Sequence, residues 1–164
     1  EFSLTVKDLL RYTLRQSDNN ASNLMFGRLL GVEETDSFIS TVIPRRDFRI
    51  AYTEAEMSAD HRRAYSNSTS PLGAAELINR LFTDRIAAPL LDREGVSIAH
   101  KTGSGYTNEE GVLAAHNDVA YICLPNGTHY SLAVFVKDFK GNETQAAKAI
   151  AHVSAAVYSI LSKD

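Results

Sequence analysis

The chain has 164 residues, 44% of them hydrophobic, and a formal net charge of −3. That length and apolar content suffice for one buried core, and the charge supplies no basic field for nucleic acid. There is no run of eighteen apolar residues, no charged tail and no repeat, and Glu1, Phe2, Ser3 and Leu4 have no signal-peptide layout, so neither nucleic acid nor a membrane is an expected partner.

In chain order, Thr5 and Asp8 have the spacing of a capping pair. Val6, Leu9, Leu10 and Leu14 then recur at helical spacing, predicting a helix that stops near Gln16. A second helix is expected over residues 21–30 with Gly31 as its stop, and a third over 34–42 ahead of Pro44. Residues 45–70 are polar, aperiodic and long for a connector, which marks a functional loop. Ser70 and Pro71 open another helix that runs to Phe82.

The period then shortens to that of strands, over residues 96–100, 119–124 and 130–136, with Pro125, Asn126 and Gly127 as a hairpin turn. The lone Cys123 sits in an apolar run and reads as a small buried hydrophobe. Asn142 caps a last helix whose Ala146, Ile150, Val153, Val157 and Leu161 form one apolar stripe suited to a sheet face. The class is α+β, with a helical subdomain over residues 1–93 and antiparallel strands closed by a helix over 94–164.

Two short motifs stand out. Ser17-Asp18-Asn19 lies between the first two helices, where it could serve as nothing more than a cap. Lys101-Thr102-Gly103, followed by Ser104 and Gly105, directly follows a strand and could be a solvated strand-to-turn junction. Their occurrence in this order points to one site. His61, His100, His116, His129 and His152 lack metal-ligand spacing, and no HExxH or cysteine cluster accompanies them, so no metal or cofactor is expected. The Asn-X-Ser/Thr triplets at Asn20, Asn67, Asn126 and Asn142 read as caps and turns.

The two motifs resemble those of the class A serine β-lactamases and the related penicillin-binding proteins, whose set is S-x-x-K, S-D-N and K-T-G. The resemblance covers essentially the whole chain. The stretches TEAEMSAD, SPLGAAELI, AHKTGSG and LAVFVKDF are most similar to the CfxA-type and PER-type extended-spectrum branch. It implies a partial β-lactamase/transpeptidase-like fold, with residues 52–58 in the place of the Ω-loop and residues 87–91 as a strand-side connector.

By the same resemblance, Ser17 would pass a proton to the β-lactam nitrogen, Asn19 would bind the substrate's side-chain amide, and Asp18 would fix the loop from inside. Lys101 would supply positive charge near the substrate carboxylate, Thr102 and Ser104 hydroxyls to bind it, and the Ser104 N–H one oxyanion donor. Gly103 and Gly105 would let the backbone approach closely. Glu54 would be the base that activates the deacylating water; its residues alone equally allow a solvated carboxylate, and Glu56 competes for the role. The implied partner is a small-molecule β-lactam, and the implied location is periplasmic or secreted.

The chain departs from the family pattern at several points. Ser58 stands where an asparagine often holds the water, and Tyr52 and Asn67 replace an arginine–aspartate pair that closes the loop. No serine is followed three residues later by lysine, so the nucleophile is absent from this chain. Residues 82–85 are also shorter than the pattern. The expectation is a C-terminal part of a larger catalytic domain, whose missing N-terminal segment carries S-x-x-K and flanks the strand over 130–136. A D,D-peptidase-like penicillin-binding protein and a non-catalytic β-lactam-binding remnant are the alternatives.

Overall fold

The computed structural model describes residues 3–83 and 96–163. The chain divides into two compact units, Glu1–Thr69 and Ser70–Asp164; the connector expected over 87–91 and part of the 82–85 stretch lie outside the described residues.

In the first unit, α1 (Val6–Gln16) starts at the expected capping box. Thr5 Oγ1 accepts the Asp8 N–H, and the Asp8 carboxylate accepts the Thr5 N–H at 3.0 Å. It stops at Ser17, whose backbone is left-handed, with φ 52°. α2 (Asn19–Arg28) begins two residues before the expected start because the Asp18 carboxylate accepts the Ala21 N–H at 2.8 Å. Gly31, expected to end α2, instead occupies the N-cap of α3 (Val32–Val42), and its carbonyl accepts the Thr35 N–H. α2 has already ended at Leu29.

The polar segment that follows is more ordered than its composition suggests. β1 (Phe48–Arg49) and β2 (Ser68–Thr69) pair antiparallel and join its two ends. Between them lie α4 (Glu54–Ala59) and a 3-10 helix, His61–Ser66. The missed signal was Thr53-x-x-Glu56, a capping box that announces α4 without any apolar periodicity.

Asp36, only 7% exposed, anchors this segment to α3. Its carboxylate accepts the Ile50 N–H at 2.8 Å and pairs with the Arg45 guanidinium. The Ile50 N–H first, and then Arg45, hold this carboxyl below its ordinary range against the opposing effect of burial. A group with a depressed folded pKa contributes stability above its unfolded pKa and loses that contribution as pH falls through the folded value. Acidification below about pH 4 should therefore weaken the first unit. Asp36→Asn, which keeps an oxygen for Ile50, should flatten that dependence. The check is the urea midpoint at neutral and acid pH for both proteins; equal acid losses would contradict the assignment.

In the second unit, α5 (Pro71–Thr83) starts where Ser70 Oγ accepts the Gly73 N–H at 2.9 Å. β3 (Ser97–Ser104), β4 (Val112–Cys123) and β5 (His129–Lys140) form an antiparallel sheet in the order β3-β4-β5. β4 begins seven residues before the expected strand, because the polar run His116-Asn117-Asp118 interrupts its apolar pattern without breaking the ladder. At the expected hairpin turn the Gly127 N–H donates to the Leu124 carbonyl at 3.0 Å, with Gly127 at φ +83°.

α6 (Glu143–Leu161) opens on the Asn142–Gln145 capping box. The Phe82 ring of α5 stacks on Tyr121 at 5.1 Å, whereas burial and then the neighbouring Tyr158 of α6 push up the pKa of Tyr130, which is registered with Ile122. Neighbouring strand residues point to opposite faces, so α5 and α6 cover opposite faces of the sheet. Leu113, Tyr121, Ile122, Cys123, Ala146 and Ile150 form the buried core. Cys123 is buried as expected, and burial raises its thiol pKa. Of the α6 stripe, Ala146 and Ile150 are buried and Val157 and Leu161 half-buried, whereas Val153 is 44% exposed.

Contacts divide the described chain at Thr69 and Ser70, because α5 packs on β4 and β5; the expected 93/94 division marks instead the change from helical to strand periodicity.

Candidate active site

Ser17, Asp18, Asn19, Glu54 and Ser58 lie in the first unit; Lys101, Thr102, Gly103 and Ser104 lie in the second. The polar cluster between α1 and α2 has a division of labour. Ser17 ends α1, with its own N–H and that of Asp18 both directed to the Tyr12 carbonyl. Asp18 caps α2 from a half-buried position, and Asn19 is exposed in the first turn.

A non-glycine residue in the left-handed region is strained, and such residues gather at functional sites. Ser17→Gly should relieve this strain and raise stability by about 0.5–1 kcal/mol. If the hydroxyl is used in turnover, the same variant should lose activity. Thermal melts and steady-state rates check both arms, and a variant no more stable than the parent would refute the strain.

One turn into α2, Asn23 Oδ1 accepts the Ala55 N–H at 3.0 Å. This bond ties the helix that begins at the Ser-Asp-Asn cluster to the first turn of α4, which Glu54 opens. Asn23 was not among the residues singled out from sequence; only its place six residues after Ser17 in the same polar run hinted at it.

The two competing glutamates differ sharply. The Glu56 carboxylate accepts the Thr53 N–H at 2.8 Å and the Thr53 hydroxyl at 2.9 Å, which together hold its pKa below the usual range. The Glu54 carboxylate is half-buried and makes no hydrogen bond among the described residues. Ser58 follows one turn later on the same face of α4 and is exposed.

Asn67 closes the segment from the far side. Its Oδ1 accepts the Ala51 and Tyr52 N–H groups at 2.8 and 3.0 Å, while Nδ2 donates to the Tyr52 carbonyl at 2.8 Å. Arg63 lies over the Tyr52 ring, 5.1 Å from its centroid. A carboxamide gripping backbone thus stands where the resemblance led one to look for an ion pair.

β3 carries Lys101, Thr102, Gly103 and Ser104 in its C-terminal half. Alternation places Thr102 and Ser104 on one face, opposite Asp118 and His116 of β4. Lys101 and Gly103 take the other face, opposite Val119 and Asn117. Lys101 Nζ donates to the Thr102 carbonyl at 2.5 Å, and Ser104 Oγ lies 2.9 Å from His116 Nδ1.

Among the described residues, packing requires one of the two glycines. A Cβ at Gly105 would approach the Ala115 nitrogen to 3.0 Å and the Ala114 Cβ to 3.2 Å, whereas one at Gly103 meets none of the described atoms within 4 Å. The Gly105 N–H donates to the Ala115 carbonyl at 2.8 Å, so the chain crosses tightly over β4 there. Among the described residues no cluster of histidine, cysteine, aspartate and glutamate could hold a metal, and no helix is long and apolar enough to cross a membrane.

A model of the β-lactamase enzyme family matches residues 1–161. The chain belongs to that family. It is 67% identical to a β-lactamase of Phocaeicola vulgatus over 97% of this chain and 57% of that protein. It is also 31% identical to the extended-spectrum β-lactamase PER-1 of Pseudomonas aeruginosa, over 96% of this chain and 58% of that one. The crystal structure of a class A β-lactamase from Bacteroides cellulosilyticus superimposes with a TM-score of 0.87 at 26% identity, over 99% of this chain and 66% of that one. The chain therefore forms part of the class A β-lactamase fold, and it spans less than two thirds of the length of those relatives.

Proposed function

We propose that this chain contributes the Ser-Asp-Asn, Glu54 and Lys-Thr-Gly elements of a class A β-lactamase that hydrolyses β-lactams through a serine acyl-enzyme. The observation that carries the reading is the Asn23–Ala55 bond, which ties the Ser17-bearing turn to the helix opened by an unengaged glutamate. The nucleophilic serine and its lysine are assigned to polypeptide upstream of this chain, in keeping with relatives of greater length.

In the proposed cycle the upstream serine gives its proton to its lysine as its oxygen attacks the lactam carbonyl, the C–N bond breaks, and the lysine returns that proton through Ser17. The nitrogen takes its proton from the Ser17 hydroxyl, which can both donate and accept. Asn19 binds the acylamino side chain. Lys101 attracts the substrate carboxylate, Thr102 and Ser104 bind it through their hydroxyls, and the Ser104 N–H faces the developing oxyanion. Glu54 then takes a proton from the water that cleaves the acyl ester. Cephalosporins are the expected substrates, by likeness to the extended-spectrum relative, and the periplasm the expected location.

The test is the intact mass of the full-length protein during incubation with a cephalosporin. A transient acyl adduct followed by return to the parent mass supports the lactamase. A permanent adduct indicates a penicillin-binding protein, and no adduct at all indicates a non-catalytic remnant.

A further inference from the structure

Ser104 and His116 are register partners across β3 and β4, and the hydroxyl oxygen sits 2.9 Å from the imidazole Nδ1. A serine hydroxyl has one proton to give. If Nδ1 is bare, that proton points at His116, and Ser104 presents only lone pairs to an anion. If Nδ1 carries hydrogen, the imidazole donates to Ser104, and the hydroxyl proton is free for a carboxylate. The imidazolium always donates from Nδ1 and adds positive charge.

We propose that His116 is a positioning residue of the anion subsite: by donating from Nδ1 to Ser104 Oγ, it aims the Ser104 hydroxyl proton at the carboxylate of the ligand. The proposal rests on the β-lactam reading of Ser104 given above. Carboxylate binding and protonation of His116 then favour each other, because each is strengthened by the other.

The charged groups around His116 leave this role open to it. On its own strand Asp118 lies 3.1 Å from His100 of β3. On β5 its register partner is Val136, and the adjoining Lys137 and Asp138 pair with each other at 3.6 Å. Lys101 takes the opposite face of β3, and Tyr106, Glu109 and Glu110 belong to the β3–β4 connection. α6 buries Ala146 and Ile150 while Glu143, Lys148 and His152 are exposed, and on α5 Glu76 pairs with Arg80 at 2.7 Å.

The experiment compares the full-length protein with His116→Asn, Ser104→Ala and the double variant. Asparagine keeps a donor near the Nδ1 position without titrating. For an anionic cephalosporin, KM of the parent should rise about tenfold between about pH 5.5 and 8.5 relative to His116→Asn, with the kcat profiles parallel. In the Ser104→Ala background the histidine substitution should change nothing further. Nitrogen-15 NMR gives a readout independent of turnover: benzylpenicilloate should raise the His116 pKa in the parent and leave it unmoved in Ser104→Ala. Independent, additive effects of the two substitutions, or a His116 pKa indifferent to benzylpenicilloate, overturn the proposal. Loss of all turnover with the NMR shift intact would instead count against the hydrolytic reading alone.

Discussion

Glu54→Gln in the full-length protein should acylate at close to the parental rate and then fail to deacylate. The half-buried Glu54 carboxylate makes no hydrogen bond among the described residues, whereas Glu56 is held by Thr53. A general base removed from a water-activation step costs about two to four orders of magnitude, or roughly 3–5 kcal/mol of barrier. An adduct at the acyl-enzyme mass should persist for hours, while Glu56→Gln, which weakens the α4 cap, should turn over almost normally and melt slightly earlier. Rapid-quench mass spectrometry distinguishes the two. Unimpaired deacylation by Glu54→Gln together with trapping by Glu56→Gln would exchange their roles.

Asn67→Ala should produce the largest structural effect of any single substitution in the loop. It removes three bonds of 2.8–3.0 Å and leaves two N–H groups and a carbonyl without their partners. At about 1 kcal/mol each, the loss is about 2–4 kcal/mol, concentrated at the segment that leads into Glu54. Asn67→Asp keeps both acceptor contacts but loses the donors to the Tyr52 carbonyl and Met57 Sδ and sets an oxygen against that carbonyl, so the Ala51 and Tyr52 amides should stay better protected than in Asn67→Ala. Hydrogen exchange at the Ala51 and Tyr52 amides reads this directly. Parental protection in Asn67→Ala would show that the carboxamide does not hold the loop. With the loop loosened, deacylation should slow more than acylation.

The helices and strands were largely legible because their signals are local. The Thr5–Asp8 and Asn142–Gln145 caps, the Ser70–Pro71 start and the turn at Gly127 each rest on groups a few residues apart. Errors arose where a residue could serve either neighbour, as Gly31 does, or where polar residues stood inside a ladder, as in the first half of β4. The motif residues and their proposed roles come from family likeness. The Asn67 clamp, the Asn23 tie and the Ser104–His116 contact were not legible, because each joins positions 12 to 32 residues apart through backbone groups or a strand register that no spacing rule encodes.

The unequal surroundings of Gly103 and Gly105 bear on how such a chain can diversify. At Gly105 a first side-chain carbon already meets the backbone of β4, so drift there is closed unless the crossing is rebuilt. Two residues earlier the same carbon meets none of this chain's described atoms. At Gly103 this chain's described residues set no such limit, so any limit there comes from the molecule the strand receives or from polypeptide outside them.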